Sequence, residues 1–215
     1  MNTRMKIDFV SDVSCPWCII GLNSLQQALD AVGKEIEVEL HFQPFELNPA
    51  MPPEGQDLSE HLIEKYSLTP EQMARNRESI RARGEQVGFT FNMDKRGRIY
   101  NTFDAHRLLH WAGQEGHQEE LKRALFDAYF TDGENPSSHD VLIRLAGKVG
   151  LDTERARQIL STDTYAAEVR ERQGFYQSQG IRAVPSVIIN DRHLIQGGQP
   201  AEVFEQALRQ IASAA

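Results

Sequence analysis

Both cysteines of this 215-residue chain fall within "SDVSCPWCIIG", residues 11–21, where a strand-like run gives way to a helical one. Before them, "MKIDFVSD" (5–12) reads as a short buried strand. From Pro16 to Val32, Leu22, Leu25, Leu29 and Val32 recur at the spacing of one helix face. "EIEVELHF" (35–42) then alternates charged and apolar residues, the period of a half-buried strand. The chain therefore opens β-α-β, with Cys15 and Cys18 at its first strand-to-helix junction.

The C-terminal part returns to this character. "VPSVIIN" and "HLIQG", joined at "DR", carry the pattern of a β-hairpin. "QPAEVFEQALRQIA" follows as an amphipathic helix with Val203, Phe204, Ala207, Leu208 and Ile211 on one side. Between these ends, after the proline-rich "PFELNPAMPPEG" (44–55), residues 57 to about 180 are almost wholly helical in pattern. Helix starts are expected at Thr69-Pro70-Glu71, Asn101-Thr102, Ser138 and Asp152, with one weak strand at "FTF" (89–91). Phe126, Tyr129 and Phe130 are spaced as buried core, although an exposed apolar surface for client proteins would use the same residues. The fold class is α/β, in the order β-α-β, a large all-helical insertion, then β-β-α. The expected division is 1–50 plus 176–215 for the α/β part and 51–175 for the insertion.

Charge limits the partners. A formal net charge of −8 and a pI near 5.4 exclude a general nucleic-acid binder, which needs a basic surface. The arginine-rich "ARNRESIRARG" (74–84) reads as a solvated helix face with i,i+4 pairs. No apolar run approaches the roughly 20 residues that cross a bilayer, and "MNTRMKIDFV" lacks the apolar region of an export signal. A cytoplasmic protein without a membrane partner is expected.

Three readings of the cysteine pair compete. Closing so short a loop removes little unfolded-state entropy, so a staple is weak. A zinc site needs about four ligands and the pair supplies two. His106 and His110, i,i+4 on a helix, could complete a tetrahedron, but each reads equally as an ordinary hydrogen-bonded residue of an amphipathic helix. No metal is expected. The third reading is a redox pair. Pro16 suits the first helical position, which makes Cys15 the N-cap, facing free N–H groups and the positive end of the helix dipole. Both favour the thiolate. Cys18, one turn further in, can attack a mixed disulfide formed on Cys15. Pro185, in "AVPSVII", starts a buried strand, where it cannot donate to the ladder.

"CPWC" at a strand–helix junction, a long helical insertion and a late "VP" before a hairpin resemble the thioredoxin superfamily in its DsbA-like branch. "PFELNP", "NTFDAHRLLHWA", "LFDAYFTDGENPSSHDVLIRLA" and "AVPSVIINDRHLIQGGQP" narrow the resemblance to the FrnE-like proteins of bacteria. It implies thiol–disulfide oxidoreduction on a protein or small-molecule thiol or disulfide, with Cys15 attacking and Cys18 resolving. Pro185 would be a cis-proline, and the Val184 backbone would pair with substrate. Pro16 and Trp17 would tune the redox poise. A buried acid often accepts the resolving cysteine's proton; Asp8 is the nearest candidate and Asp12 the next. No tightly bound cofactor is implied, with glutathione a candidate co-substrate. The kappa-class glutathione transferases and 2-hydroxychromene-2-carboxylate isomerases share the fold and an Asn-Thr motif similar to Asn101-Thr102, but typically carry serine at the place of Cys15. They supply the alternative function, a glutathione-dependent isomerase or transferase, and Gly198-Gln199-Pro200 at the last helix start could then bind a carboxylate.

Overall fold

The computed structural model describes residues 3–214. The chain opens with strand β1 (Thr3–Ser11), helix α1 (Pro16–Val32) and strand β2 (Ile36–Pro44). A middle section follows: β3 (Gln56–Asp57), α2 (Leu58–Tyr66), α3 (Pro70–Gln86), β4 (Arg98–Ile99), α4 (Phe103–Gln114), α5 (Gln118–Phe126), α6 (His139–Lys148), α7 (Thr153–Leu160) and α8 (Ala166–Ser178). The hairpin β5 (Ser186–Ile189) and β6 (His193–Gln196) and helix α9 (Ala201–Ser213) close the chain.

The main sheet runs β2-β1-β5-β6. β1 lies parallel to β2, with Ile7 opposite Leu40, and antiparallel to β5, with Ile7 opposite Ile189. Alternation along β1 sends Met5, Ile7 and Phe9 into one core with Leu22 and Leu25 of α1 and Phe204 and Leu208 of α9. Asp8 and Val10 point to the other face, where Val10 meets Tyr176 of α8. A second core joins α4, α5, α6 and α7, and the turn residue Val13 is buried in it. The segment between β1 and α1 is thus a seam. Val13 belongs to the helical core, and Cys15 and Cys18 belong to the sheet core.

Local chemistry accounts for most helix starts. Thr69 forms a capping box with Gln72 ahead of Pro70, and the Asp152 carboxylate accepts from the N–H groups of Glu154 and Arg155. Thr102 and Ser138 occupy cap positions without capping bonds from their side chains. Three expectations need correction. "FTF" is not a strand; Phe89 and Phe91 instead pack edge-to-face against Phe130, with ring centroids 6.4 and 5.2 Å away. Val203 is 40% exposed at the edge of the apolar face of α9. The short β3–β4 ladder, which pairs Gln56 with Ile99, was not anticipated, since two residues carry no period to read. Phe126, Tyr129 and Phe130 are buried, the last two in a π-helical turn (Asp127–Thr131) that breaks the α pattern after α5.

Candidate active site

Cys15 has extended backbone (φ −91°, ψ 113°) and caps α1, with Pro16 at the first turn. Its N–H donates to Asp12 O at 3.3 Å and its carbonyl accepts from Cys18 N–H at 3.1 Å. Both thiols are free, Cys15 at 4% exposure and Cys18 fully buried. Cys15 Sγ lies 3.7 Å from the carbonyl oxygen of Val184, to which it donates. The Val184–Pro185 peptide bond is cis. Gly21 allows this approach, because a Cβ there would sit 3.1 Å from Pro185 Cγ and 3.4 Å from Gly198 Cα. Gly198 in turn lies against Trp17, which is 36% exposed beside the pair. Pro200 caps α9, and the Gln199 side chain donates to Gln196 O at 2.9 Å.

Beneath the pair lies a buried polar cluster. The Asp12 carboxylate accepts from Ser14 Oγ (3.0 Å), Leu47 N–H (2.8 Å), His106 Nε2 (3.2 Å) and the Thr102 hydroxyl. Burial pushes its pKa up, but the bonds from His106, Leu47 and Thr102 outweigh that and hold the carboxyl below its usual range. The Cys18 thiol is pushed well up, first by burial and then by its hydrogen bond to Cys15 and the Cys15 charge. Lys122 of α5 opposes this. Its side chain is almost wholly buried, and its pKa is brought down to about 8 by desolvation, against the attraction of Cys18, Asp12 and Cys15. Lys122 Nζ makes no hydrogen bond among the described residues and lies 5.1 Å from the Phe126 ring centre. A cavity of about 170 Å³, bounded by His106, Gln118 and Arg172 among others, reaches it.

Asp8 is equally buried but elsewhere. It faces away from α1, where it meets Lys6 Nζ at 2.9 Å, Gln43 Nε2 at 2.6 Å and the Tyr176 hydroxyl. His110 turns from His106 and packs against the Tyr165 ring at 5.1 Å between centres. Among the described residues, no group of three or more His, Cys, Asp or Glu could hold a metal ion. Asn101 bridges backbone, donating to Met51 O at 3.2 Å and accepting from Phe103 N–H at 2.9 Å.

Above Cys15 opens a cleft of about 590 Å³, walled by α2, α3, Met93, Arg96, Ile99 and the Arg182–Val184 segment. The arginine-rich run of α3 does carry its expected Arg81 pairs with Glu78 and Glu85. Its other face, through Met73, Arg77 and Ile80, lines this cleft.

This is the arrangement that the comparisons reach. The DsbA-like thioredoxin domain family matches residues 6–209. The chain belongs to that family. It is 30% identical to the uncharacterized protein YwbO of Bacillus subtilis (strain 168) over 209 residues, covering 97% of this chain and 96% of YwbO. The crystal structure of the probable DsbA oxidoreductase SCO1869 from Streptomyces coelicolor is 33% identical and superposes with a TM-score of 0.91 over 98% of this chain and 90% of that one. Two more distant structures share the fold. Cytosolic disulfide reductase DsbM from Pseudomonas aeruginosa, solved with GSH, is 17% identical, with a TM-score of 0.63 over 95% of this chain and 98% of that one. A 2-hydroxychromene-2-carboxylate isomerase is 16% identical, with a TM-score of 0.67 over 98% of this chain and 99% of that one. The expected thioredoxin-like fold with a helical insertion, and the DsbA-like assignment, both hold. No helix among the described residues is long and apolar enough to cross a membrane.

Lys122, Arg96 and the Asp12–His106 contact were missed in the sequence. Lys122 did leave a signal. It falls between Leu121 and Leu125 and four residues before Phe126, on the apolar side of its helix.

Proposed function

We propose that the chain is a dithiol–disulfide oxidoreductase with Cys15 as nucleophile and Cys18 as resolving thiol. One observation carries this reading: Cys15 caps α1 at the floor of a cleft, 3.7 Å from the Val184 carbonyl, with Cys18 sealed one turn below. The Cys15 thiolate attacks one sulfur of the substrate disulfide, breaks that bond and releases the first thiol. A mixed disulfide remains. Cys18 then loses its proton and attacks Cys15 Sγ, which releases the second substrate thiol and leaves a Cys15–Cys18 disulfide. Two electrons pass from the pair to the substrate, and the reverse sequence oxidises a dithiol. The backbone of Val184 and the ring of Pro185 border the bound sulfurs, and Pro16 and Trp17 set the surroundings of Cys15.

Lys122 is the proton acceptor in this scheme. Asp8 lies on the far side of the sheet from α1, and Asp12 is already satisfied by four donors and held ionised. An amine near pKa 8 in the interior can take the proton, and its positive charge then steadies the thiolate. A small thiol such as glutathione would return the oxidised pair to the dithiol, since the DsbM neighbour was solved with GSH. A cytoplasmic setting fits a chain whose only two cysteines form this pair, leaving none for a structural disulfide. The isomerase reading is weaker, because both ends of the Asn101 amide are spent on backbone.

The test is disulfide reduction by wild type, Cys15→Ser and Lys122→Met proteins. Cys15→Ser is expected to be inactive. Activity retained in that variant ends the proposal.

A further inference from the structure

The cleft over Cys15 has an unusual charge pattern for a chain of net charge −8. Among the described residues, no aspartate or glutamate lines it; its charged residues are Arg77, Arg96 and Arg182. Arg77 is neutralised from outside by Asp94 at 3.0 Å. Arg96 has no carboxylate partner among the described residues. It donates to the Tyr129 hydroxyl (3.2 Å) and to Ser14 O (3.3 Å), and its guanidinium lies over the Tyr129 and Phe130 rings at 5.2 and 5.0 Å. Arg182 makes no ion pair or side-chain hydrogen bond among the described residues. It is exposed, two positions before Val184. Two uncompensated guanidinium groups are thus tied to the residues that flank the reacting sulfur. One holds the carbonyl next to Cys15; the other precedes the backbone that accepts from Cys15. The remaining wall is mostly apolar, with Leu58, Leu62, Met73, Ile80, Met93 and Ile99, and carries the neutral polar side chains of Asn48, Ser59 and Asn76 and the His61 ring.

We propose that the cleft selects a small disulfide with an apolar body and an anionic group, and that Arg96 and Arg182 recognise the anion. This rests on the oxidoreductase reading of the preceding section and narrows its substrate. A volume of about 590 Å³ is the size of a small-molecule site. With Cys15 only 4% exposed at its floor, an apolar compact disulfide reaches the sulfur, whereas one held inside a folded protein does not. Guanidinium groups pair with carboxylate, sulfonate or phosphate through charge-assisted bonds, and the absence of competing carboxylates leaves that pairing to the ligand.

Binding tests this without any turnover. Calorimetry of wild-type protein with 5-(methylthio)-2-nitrobenzoate, an unreactive anionic thioether, is compared with its neutral methyl ester. The acid is expected to bind about tenfold tighter. Arg182→Gln should cut that preference at least about threefold, and Arg182→Glu should abolish or reverse it. Arg182 is exposed and unbonded, so neither change threatens the fold, whereas Arg96→Gln also loses the bond to Ser14. In parallel, kcat/KM is measured for 5,5′-dithiobis(2-nitrobenzoate) and neutral 4,4′-dithiodipyridine, each divided by its rate with free dithiothreitol. Equal affinity for acid and ester, or a preference untouched by Arg182→Glu, overturns the inference even when both disulfides are reduced. Loss of all reduction, with the binding preference intact, overturns the oxidoreductase reading and leaves the anion site standing.

Discussion

Asp12 Oδ1 lies 3.2 Å from His106 Nε2, and both side chains are almost wholly inside the protein. Asp12 belongs to the turn before Cys15 and His106 to α4, 94 residues along the chain. The contact fastens the dithiol turn to the helical block. A buried carboxylate is tolerable only while its lone pairs are used, and removing one donor leaves the charge partly uncompensated. His106→Ala is therefore expected to cost about 3 kcal/mol of stability. Urea unfolding would show this as a lower midpoint at unchanged slope, with partial recovery in His106→Asn. A cost below about 0.5 kcal/mol would mean that the contact carries no structural weight.

The burial difference between the two cysteines predicts different fates for their serine variants. In Cys18→Ser the first attack proceeds and the second cannot, so a mixed disulfide on Cys15 should persist. Intact-mass measurement after addition of a disulfide would show one adduct per chain. Cys15→Ser should show none, because Cys18 is fully buried and its thiol is pushed well up, mainly by burial. Adduct formation in Cys15→Ser would mean that the roles are reversed.

Gly21 predicts a route from packing to chemistry. A larger side chain meets Pro185 Cγ, already 3.1 Å from the position of an added Cβ. Gly21→Val must push the Val184–Pro185 segment from α1, at a typical overpacking cost of about 1–3 kcal/mol. The Val184 carbonyl moves with that segment. The reduction rate should therefore fall more than tenfold at temperatures where the variant remains folded by circular dichroism. Gly174→Ala in α8 serves as control, since a Cβ there meets nothing within 4 Å and the backbone is helical. Unchanged rates in Gly21→Val would separate that segment from the reaction.

The dithiol and its helix were legible because each rests on local chemistry. Pro16 marks the first turn, Leu22, Leu25 and Val32 mark the buried face, and α1 begins and ends at the expected residues. The β5–β6 hairpin was legible for the same reason. What surrounds the cysteines was not. Lys122 and His106 come from distant helices, and no periodicity says that their turns will face Cys18 and Asp12. Asp8 looked nearest along the chain, but strand alternation sends it to the opposite face from Phe9 and α1. The π-helical turn at Asp127–Thr131 was hidden too, since the helical pattern of the apolar residues continues across it.

Lys122 joins stability to chemistry in one residue. Its pKa is brought from the ordinary 10.5 down to about 8, mainly by burial. Below pH 8 the folded protein must hold an ammonium that the unfolded chain keeps in water, and this destabilises the fold. Between pH 8 and 10.5 the folded form has lost the proton while the unfolded chain still binds it, so stability from this group rises with pH. Above 10.5 the penalty is gone. The penalty is about 3 kcal/mol, already net of the attraction to Asp12 and the cysteines. Lys122→Met is accordingly expected to stabilise the reduced protein by about 2 kcal/mol at pH 7, with the gain fading between pH 8 and 10.5. The same change removes the proton acceptor. Release of the second thiol from the mixed disulfide should slow and shift its pH midpoint upward, toward that of the buried Cys18 thiol. Stopped-flow release of the second thiol across pH 6–10, beside urea unfolding at the same values, reads both effects. A variant that loses stability at pH 7, or keeps the wild-type pH profile of release, would show that Lys122 fills space beneath the dithiol and takes no proton from it.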